Sequence, residues 1–340
     1  MSLLSIVIPA RNEQQSIADA IDAVLAQDVP HSTLEVVVVD GGSTDDTARI
    51  AKEALHRSDL ARWDVISNPV GTTPSNLNAG LRWADGDVLI RVDARSVIPA
   101  DYARRMAAVL DDPSIAVVGG HQCASVTSTA SDMHRGIARA LENPFVNGGS
   151  RYRNHRADSG PCDTAYLGVF RTEQLRSIGG WSEEFTSNQD FDLAQRMQSF
   201  GTIWYEAGLP VRYRPRSTHR DLLRQYRRFG AWKARYWKWT GDRPTARQVV
   251  LLAAPPLAAG VGLAALIRMP GRAALLLASA VAGLFVIDAA GSHDDAPIRS
   301  RLHAVVAMVV IGGGWWSGCA QERLRTAEDR KGGEGHGSRE

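Results

Sequence analysis

Glu35-Val36-Val37-Val38-Val39-Asp40-Gly41-Gly42-Ser43-Thr44-Asp45-Asp46 is the stretch that decides the fold. Four consecutive valines leave no polar face, so this reads as a strand buried on both sides. It ends on a carboxylate, and Ser43 to Asp46 supply side chains suited to capping a helix. That helix is expected to run to about His56. A buried strand followed closely by a helix is the repeating unit of a parallel α/β sheet. The unit recurs on both sides. Upstream, Leu4–Pro9 is a short apolar run, and Glu13–Gln27 places Ile17, Ile21, Val24 and Leu25 on one helical stripe. Downstream come a strand over Trp63–Ser67, a helix over Asn76–Ala84 and a strand over Asp87–Val92. A helix to Leu110 and a strand over Ile115–Val118 follow. The Ser-, Gly- and Asn-rich stretch from His121 to Asp163 has weak periodicity and reads as loop, with a helix around Met133–Leu141. Ala165–Phe170 resumes as strand and Asp190–Ser199 as helix.

The chain has 340 residues, 44% hydrophobic and 22% charged, which suits a folded protein rather than a disordered one. Its net charge of +2 hides an uneven distribution, with twelve Lys/Arg against two Asp between Arg212 and Arg247. That segment prefers an anionic neighbour, either phosphates or lipid headgroups. The three cysteines, Cys123, Cys162 and Cys319, are odd in number and far apart, so neither a disulfide framework nor a zinc cluster is expected. The N-terminus, MSLLSIVIPARNE, lacks the basic and apolar regions of a signal peptide, which predicts that the N-terminal part stays in the cytoplasm.

Composition changes at Gln248. Val249–Ile267, Ala273–Ala290 and Leu302–Cys319 are nearly uncharged, and each approaches the ~20 residues of a membrane span. The alternative, buried helices of a soluble domain, is hard to fit into so short a chain. Pro255-Pro256 suits a kinked, re-entrant or interfacial first segment. The polar tail carries Arg323, Arg325, Arg330, Lys331 and Arg339, which favours the cytoplasm. With both ends there the number of crossings is even. Two crossings are expected, with the Pro-Pro segment not spanning fully; three remain open. The expected organisation is a catalytic α/β domain over 1–219, a basic and aromatic interfacial region over 220–247, membrane helices over 248–320 and a disordered tail over 321–340.

In such a sheet, ligands bind outside the carboxyl ends of the strands. Three of these ends are rich in polar groups: Pro9-Ala-Arg11-Asn12-Glu13, Asp40-Gly-Gly-Ser43-Thr-Asp45-Asp46 and Asp93-Ala-Arg95. Together they suit a base, a ribose and a diphosphate. No GxGxxG or Walker A sequence follows a strand, so dehydrogenase and P-loop sites lack support.

These residues carry a resemblance. IVIPARNE resembles the opening strand of the family 2 glycosyltransferases, and VVVVDGGSTDDT their second strand and uridine-contacting loop. ADGDVLIRVDARS resembles the stretch carrying their DxD motif. LGVFRTEQLRSIGGWSEEFTSNQDFDLAQRM resembles the acceptor-side segment with the catalytic base. Gln225–Phe229, QYRRF, resembles the Q-x-x-R-W element of processive members. Five motifs in order, over residues 4 to about 230, are specific. With RxDA at the DxD site and apolar C-terminal segments, the chain is similar to the membrane-associated glucosyltransferases of bacterial succinoglycan and exopolysaccharide synthesis.

The resemblance implies a GT-A fold and an inverting transfer from a nucleotide-sugar, UDP-linked, to a lipid-linked (polyprenyl-type) or glycan acceptor. The site would lie at the cytoplasmic face of the inner membrane. Asp40 would accept a hydrogen bond from uracil; its alternative is a turn or capping role. Pro9, Arg11 and Glu13 would line the nucleotide pocket. Asp93 would bind a divalent metal, Mg²⁺ or Mn²⁺, or the ribose–diphosphate region. Arg95 stands where the family has its second Asp. It either neutralises phosphate, repels the metal, or pairs with a nearby acid. His219 is a candidate further metal ligand. Asp190 would be the general base, beside Gln189 where the family usually has Glu. Gln225, Arg228 and Phe229 would contact the diphosphate and the acceptor, and Trp232, Trp237 and Trp239 read as interface anchors. Membrane lipids are expected partners and nucleic acid is not. The alternative, raised by Arg95 and Gln189, is a catalytically weak transferase-like scaffold of a polysaccharide assembly complex.

Overall fold

The computed structural model describes residues 3–334 apart from 61, 147–149, 155, 186, 269 and 292–295. Residues 335–340, with Arg339 of the tail, lie outside the described residues. The chain forms two compact units, Met1–Ser125 with Gly149–Arg214, and Val126–Gly148 with Pro215–Glu340.

In chain order the elements up to Arg214 are β1 (Leu4–Ala10), α1 (Ile17–Leu25), β2 (Leu34–Asp40), α2 (Thr47–His56), β3 (Arg62–Ser67), α3 (Thr73–Trp83), β4 (Val88–Arg91), β5 (Ser96–Val97), α4 (Tyr102–Leu110), β6 (Ile115–Ala124), α5 (Asp132–Glu142), β7 (Gly160–Pro161), β8 (Tyr166–Arg171), α6 (Thr172–Ser177), α7 (Gln189–Met197) and β9 (Thr202–Tyr213). All but α5 belong to the first unit.

The nine strands form one sheet in the order β3-β2-β1-β4-β8-β6-β9-β5, with β7 on β9. The runs read as doubly buried are so: every residue of β2 is buried. Alternation divides them between two cores. Ile6 and Ile8 face Ile17, Ile21 and Leu55. Val7, Val37 and Val39 face Leu77, Leu81 and Leu193 on the other side.

The sheet is parallel across β3-β2-β1-β4 and again between β6 and β9. β8 runs antiparallel to both β4 and β6, so the expected mostly parallel sheet is mixed. Apolar runs reveal burial, not direction, and the helix between β6 and β8, α5, belongs to the second unit. The first helix also starts later than its stripe suggested. Asn12, Glu13 and Gln14 bond to the β2–α2 loop instead: Asn12 N donates to Ser43 Oγ (2.9 Å), Glu13 N to Thr47 Oγ1 (2.7 Å) and Gln14 N to Asp45 Oδ2 (3.3 Å).

The second unit contains α5 and four further helices, α8 (His219–Thr240), α9 (Ala246–Arg268), α10 (Pro270–Gly291) and α11 (Ile298–Glu334). Two of them, over Ala273–Gly291 and Ile298–Arg325, are long and apolar enough to cross a membrane; the apolar part of α9, Pro255–Arg268, is shorter. The tail departs from the disorder expected for 321–340. α11 continues through it to Glu334. Gln321 Oε1 accepts from Arg227 (2.7 Å) and Glu322 from Arg235 (2.6 Å), which anchors the chain as it leaves the apolar stretch.

Candidate active site

The carboxyl ends of β1, β2 and β3 are in register, with Ala10 opposite Asp40 and Asp40 opposite Ser67. β4 ends beside them, pairing Arg91 with Val7. The polar segments singled out in the sequence therefore share one edge of the sheet.

Asp40 is almost buried, and its carboxylate accepts the Ser43 N–H at 3.2 Å. Arg11 donates to the Gly71 carbonyl at 3.3 Å. Gly71 has φ +67°, and a Cβ there would stand 2.6 Å from the Gly41 carbonyl oxygen. Only glycine lets these two backbones meet. Pro9 lies in β1, one residue before the strand end.

Arg95 is paired with an acid. Its Nε lies 2.7 Å from both carboxylate oxygens of Glu13. Two sequence candidates thus neutralise each other. Arg95→Ala is expected to leave Glu13 as an unbalanced anion at the strand ends. The donor KM should rise several-fold with a smaller change in kcat, by ~1 kcal/mol, as suits a partly exposed pair. Steady-state kinetics against the nucleotide-sugar measures it.

The centre of the site is Arg91, to which sequence reasoning gave no role. Its side chain is 7% exposed. Nε and Nη2 reach Asp93 Oδ1 (2.8 Å) and Oδ2 (3.3 Å), and Nη1 donates to Asp190 Oδ1. Asp190 is 99 residues away in sequence. One buried guanidinium therefore joins Asp93 to Asp190. Burial works against the charge on Arg91, but Asp190 and Asp93 outweigh it and raise its pKa.

Asp190 and Gln189 open α7, where the helix N-terminus favours negative charge. Desolvation nonetheless pushes the Asp190 carboxyl above the ordinary range; Arg91 opposes this and the charge of Asp93 adds to it. The side chain keeps 40% of its surface exposed, so solvent moderates the shift. Tyr166, at the start of β8, is a second residue the sequence did not single out. Its hydroxyl lies 2.8 Å from Ser96 Oγ and its ring stacks on Tyr152. Desolvation, then the charge of Asp93, raises its pKa and keeps it protonated. Alternating strand burial conceals such residues, because a Tyr there reads as core.

Gln225, Arg228, Phe229 and His219 belong to the second unit, on α8. Arg228 is exposed and Phe229 packs edge-on against Tyr226. His219 Nε2 lies 3.1 Å from His303 Nδ1, so that nitrogen faces another imidazole. A cavity of about 400 Å³ opens beside Asp85–Val88 and Arg171–Arg176, at the amino end of β4; no site candidate lines it.

Residues 5–178, just over half of the chain, match the model of glycosyl transferase family 2. The chain is a family 2 glycosyltransferase. It is 29% identical over 329 residues to the succinoglycan biosynthesis protein ExoA of Rhizobium meliloti (strain 1021), covering 95% of this chain and 96% of that one. It is 23% identical over 240 residues to the dolichyl N-acetyl-alpha-D-glucosaminyl phosphate 3-beta-D-2,3-diacetamido-2,3-dideoxy-beta-D-glucuronosyltransferase of Methanococcus voltae, covering 68% and 73%. Among solved structures, the mannosyltransferase PcManGT from Pyrobaculum calidifontis, in complex with GDP-Man and Mn²⁺, matches with a TM-score of 0.65 at 18% identity, covering 95% of this chain and 88% of that one. The likeness shows that this family 2 transferase has the GT-A fold.

A divalent metal fits the donor chemistry of its strand ends. Asp93 offers only oxygen and is 32% exposed. Mg²⁺ commonly takes one or two carboxylates and completes its shell with phosphate and water, and Mn²⁺ favours the same hard oxygen donors.

Proposed function

We propose that this family 2 transferase performs an inverting transfer from a UDP-sugar to a lipid-linked or glycan acceptor at the cytoplasmic face of the membrane, in polysaccharide or glycoconjugate biosynthesis. The observation that carries the reading is the Arg91 bridge, which brings Asp93 and Asp190 into one site. Asp190 takes the proton of the acceptor hydroxyl as its oxygen attacks the anomeric carbon. The new C–O bond forms as the bond to the nucleoside diphosphate breaks with its electron pair. Such proton transfer contributes on the order of 10²–10⁴-fold. Asp40 holds the base and Arg11 and Glu13 line the pocket, with Pro9 shaping the turn. Asp93 would hold Mg²⁺ or Mn²⁺ against the diphosphate, where the metal offsets the leaving group's charge. Gln189, Gln225, Arg228 and Phe229 are assigned to the acceptor and diphosphate side. His219 remains a candidate further ligand only through the nitrogen that does not face His303.

Support for the acceptor class comes from the Methanococcus relative, named for a dolichyl-phosphate-linked substrate, and for polysaccharide synthesis from ExoA. A screen of nucleotide-sugars with protein in detergent, read as released UDP or GDP, tests the proposal. Turnover of a UDP-sugar that needs Mg²⁺ or Mn²⁺ and stops in EDTA is expected. Turnover that persists in EDTA removes the metal from the site. No turnover of any donor favours the scaffold reading.

A further inference from the structure

By composition, α10 and α11 are the pair that could cross a bilayer. The packing of α11 argues otherwise. Its first turns are held by α5. Ser300 Oγ donates to Asp132 Oδ1 (3.0 Å), and a Cβ on Gly136 would stand 2.5 Å from the Ser300 carbonyl oxygen. The end of α10 is tied there too, because Asp288, fully buried, accepts from both Arg139 (2.6 Å) and Arg301 (3.0 Å). The chain reaches α5 from β6 and leaves it for β7 through segments 125–131 and 143–159. Neither holds the ~20 apolar residues a crossing needs. The end of α10 and the start of α11 therefore lie on the same side of the membrane as α5.

The rest of α11 runs alongside α8. His303 meets His219, and a Cβ on Gly230 would stand 1.9 Å from the Trp315 carbonyl oxygen. Cys319 Sγ donates to the Gly230 carbonyl (3.1 Å) and Glu322 pairs with Arg235 (2.6 Å). α8 follows the sheet directly after β9, and its Arg224, Arg228 and Lys238 are exposed. At a bilayer centre each such charge costs ~2.5–3.5 kcal/mol or more. A helix flanked in this way along most of its apolar length is not a membrane span.

α9 and α10 differ. The apolar stretch of α10 is almost wholly exposed. Leu257 and Ile267 on α9, and Leu275 and Leu277 on α10, are exposed. At ~1.5 Å per residue, Val249–Ile267 of α9 and Ala273–Gly291 of α10 each reach about 28 Å, close to the ~30 Å of hydrocarbon. A proline pair inside α9 is tolerated in a span.

We infer that the α9–α10 hairpin is the element that crosses the membrane, and that α8 and α11 lie at the headgroups. The inference rests on membrane attachment and reverses the sequence expectation that the Pro-Pro segment falls short. Both ends of the hairpin stay on the catalytic side, and Arg268 at its turn emerges on the far side. This placement runs against the usual bias of basic residues, so Arg268 is the sharpest point to probe.

The experiment labels Arg268→Cys and Ile298→Cys variants of the full chain in intact cells with a membrane-impermeant thiol reagent, above the labelling of the parent chain. Arg268→Cys is expected to label in intact cells, and Ile298→Cys only after permeabilisation. Labelling of Ile298→Cys in intact cells, with or without Arg268→Cys, overturns the inference, as does protection of both. Alkaline carbonate extraction separates the underlying reading: a chain released from membranes is not inserted at all.

Discussion

Asp190→Asn is expected to lower kcat by roughly 10³-fold, within the range for a lost general base. The donor KM should change little, because the proposed base meets the acceptor rather than the nucleotide. The loss should come without unfolding. Desolvation raises the pKa of Asp190, so its ionised form is disfavoured in the native state. A carboxyl with a raised folded pKa weakens the native state at pH values above that pKa, and the penalty is relieved as pH falls through it. Removing the charge relieves that penalty but leaves Arg91 with Asp93 as its carboxylate partner, so the melting temperature at neutral pH should change little. The same shift sets the pH profile. The working form is the carboxylate, so parent turnover should fall with acid at a higher pH than an ordinary aspartate would impose. Circular dichroism with steady-state kinetics decides the matter. An Asp190→Asn protein that keeps parent turnover would end the base assignment.

Much of the fold was legible because burial writes itself into strands such as Val36–Val39, where no polar residue intervenes. The carboxyl ends of β1, β2 and β4 followed from order alone, and so did the candidates on them. The direction of β8 was not legible, since Tyr166–Arg171 has the same apolar content whichever way it runs. The partner of Arg95 was foreseen as a nearby acid but not as Glu13, 82 residues away. The helical tail to Glu334 was missed because Gly-rich polar sequence hides the anchoring of Gln321 and Glu322 to α8. Arg91 shows the limit most clearly. It follows Val88-Leu89-Ile90 inside the expected strand Asp87–Val92, and nothing in that run points to its partners. The structure buries it, and only the fold supplies the two carboxylates that make this tolerable.

Arg91→Met is expected to cost both stability and turnover. Methionine fills a similar volume, so packing is largely kept and the charge is what changes. Asp93 and Asp190 would then face each other without the cation between them. Removing one member of a buried ion pair costs ~3–5 kcal/mol. Asp93 and Asp190 keep 32% and 40% of their side-chain surface, so water screens them and a loss of about 1–3 kcal/mol is expected. Chemical denaturation at neutral pH measures it. The loss should shrink as pH falls, because protonating Asp190 removes one of the orphaned charges. A double-mutant cycle isolates the mechanism. In an Asp190→Asn background, Arg91→Met should cost less than in the parent, with a coupling of ~0.5–3 kcal/mol. Strict additivity would mean that Arg91 supports the strand end without linking the two carboxylates. Turnover provides the second reading. Arg91→Lys keeps the charge but has no planar fork to hold both acids at once. It should therefore recover most of the stability and little of kcat, because one ammonium cannot fix Asp93 against the donor and Asp190 against the acceptor together.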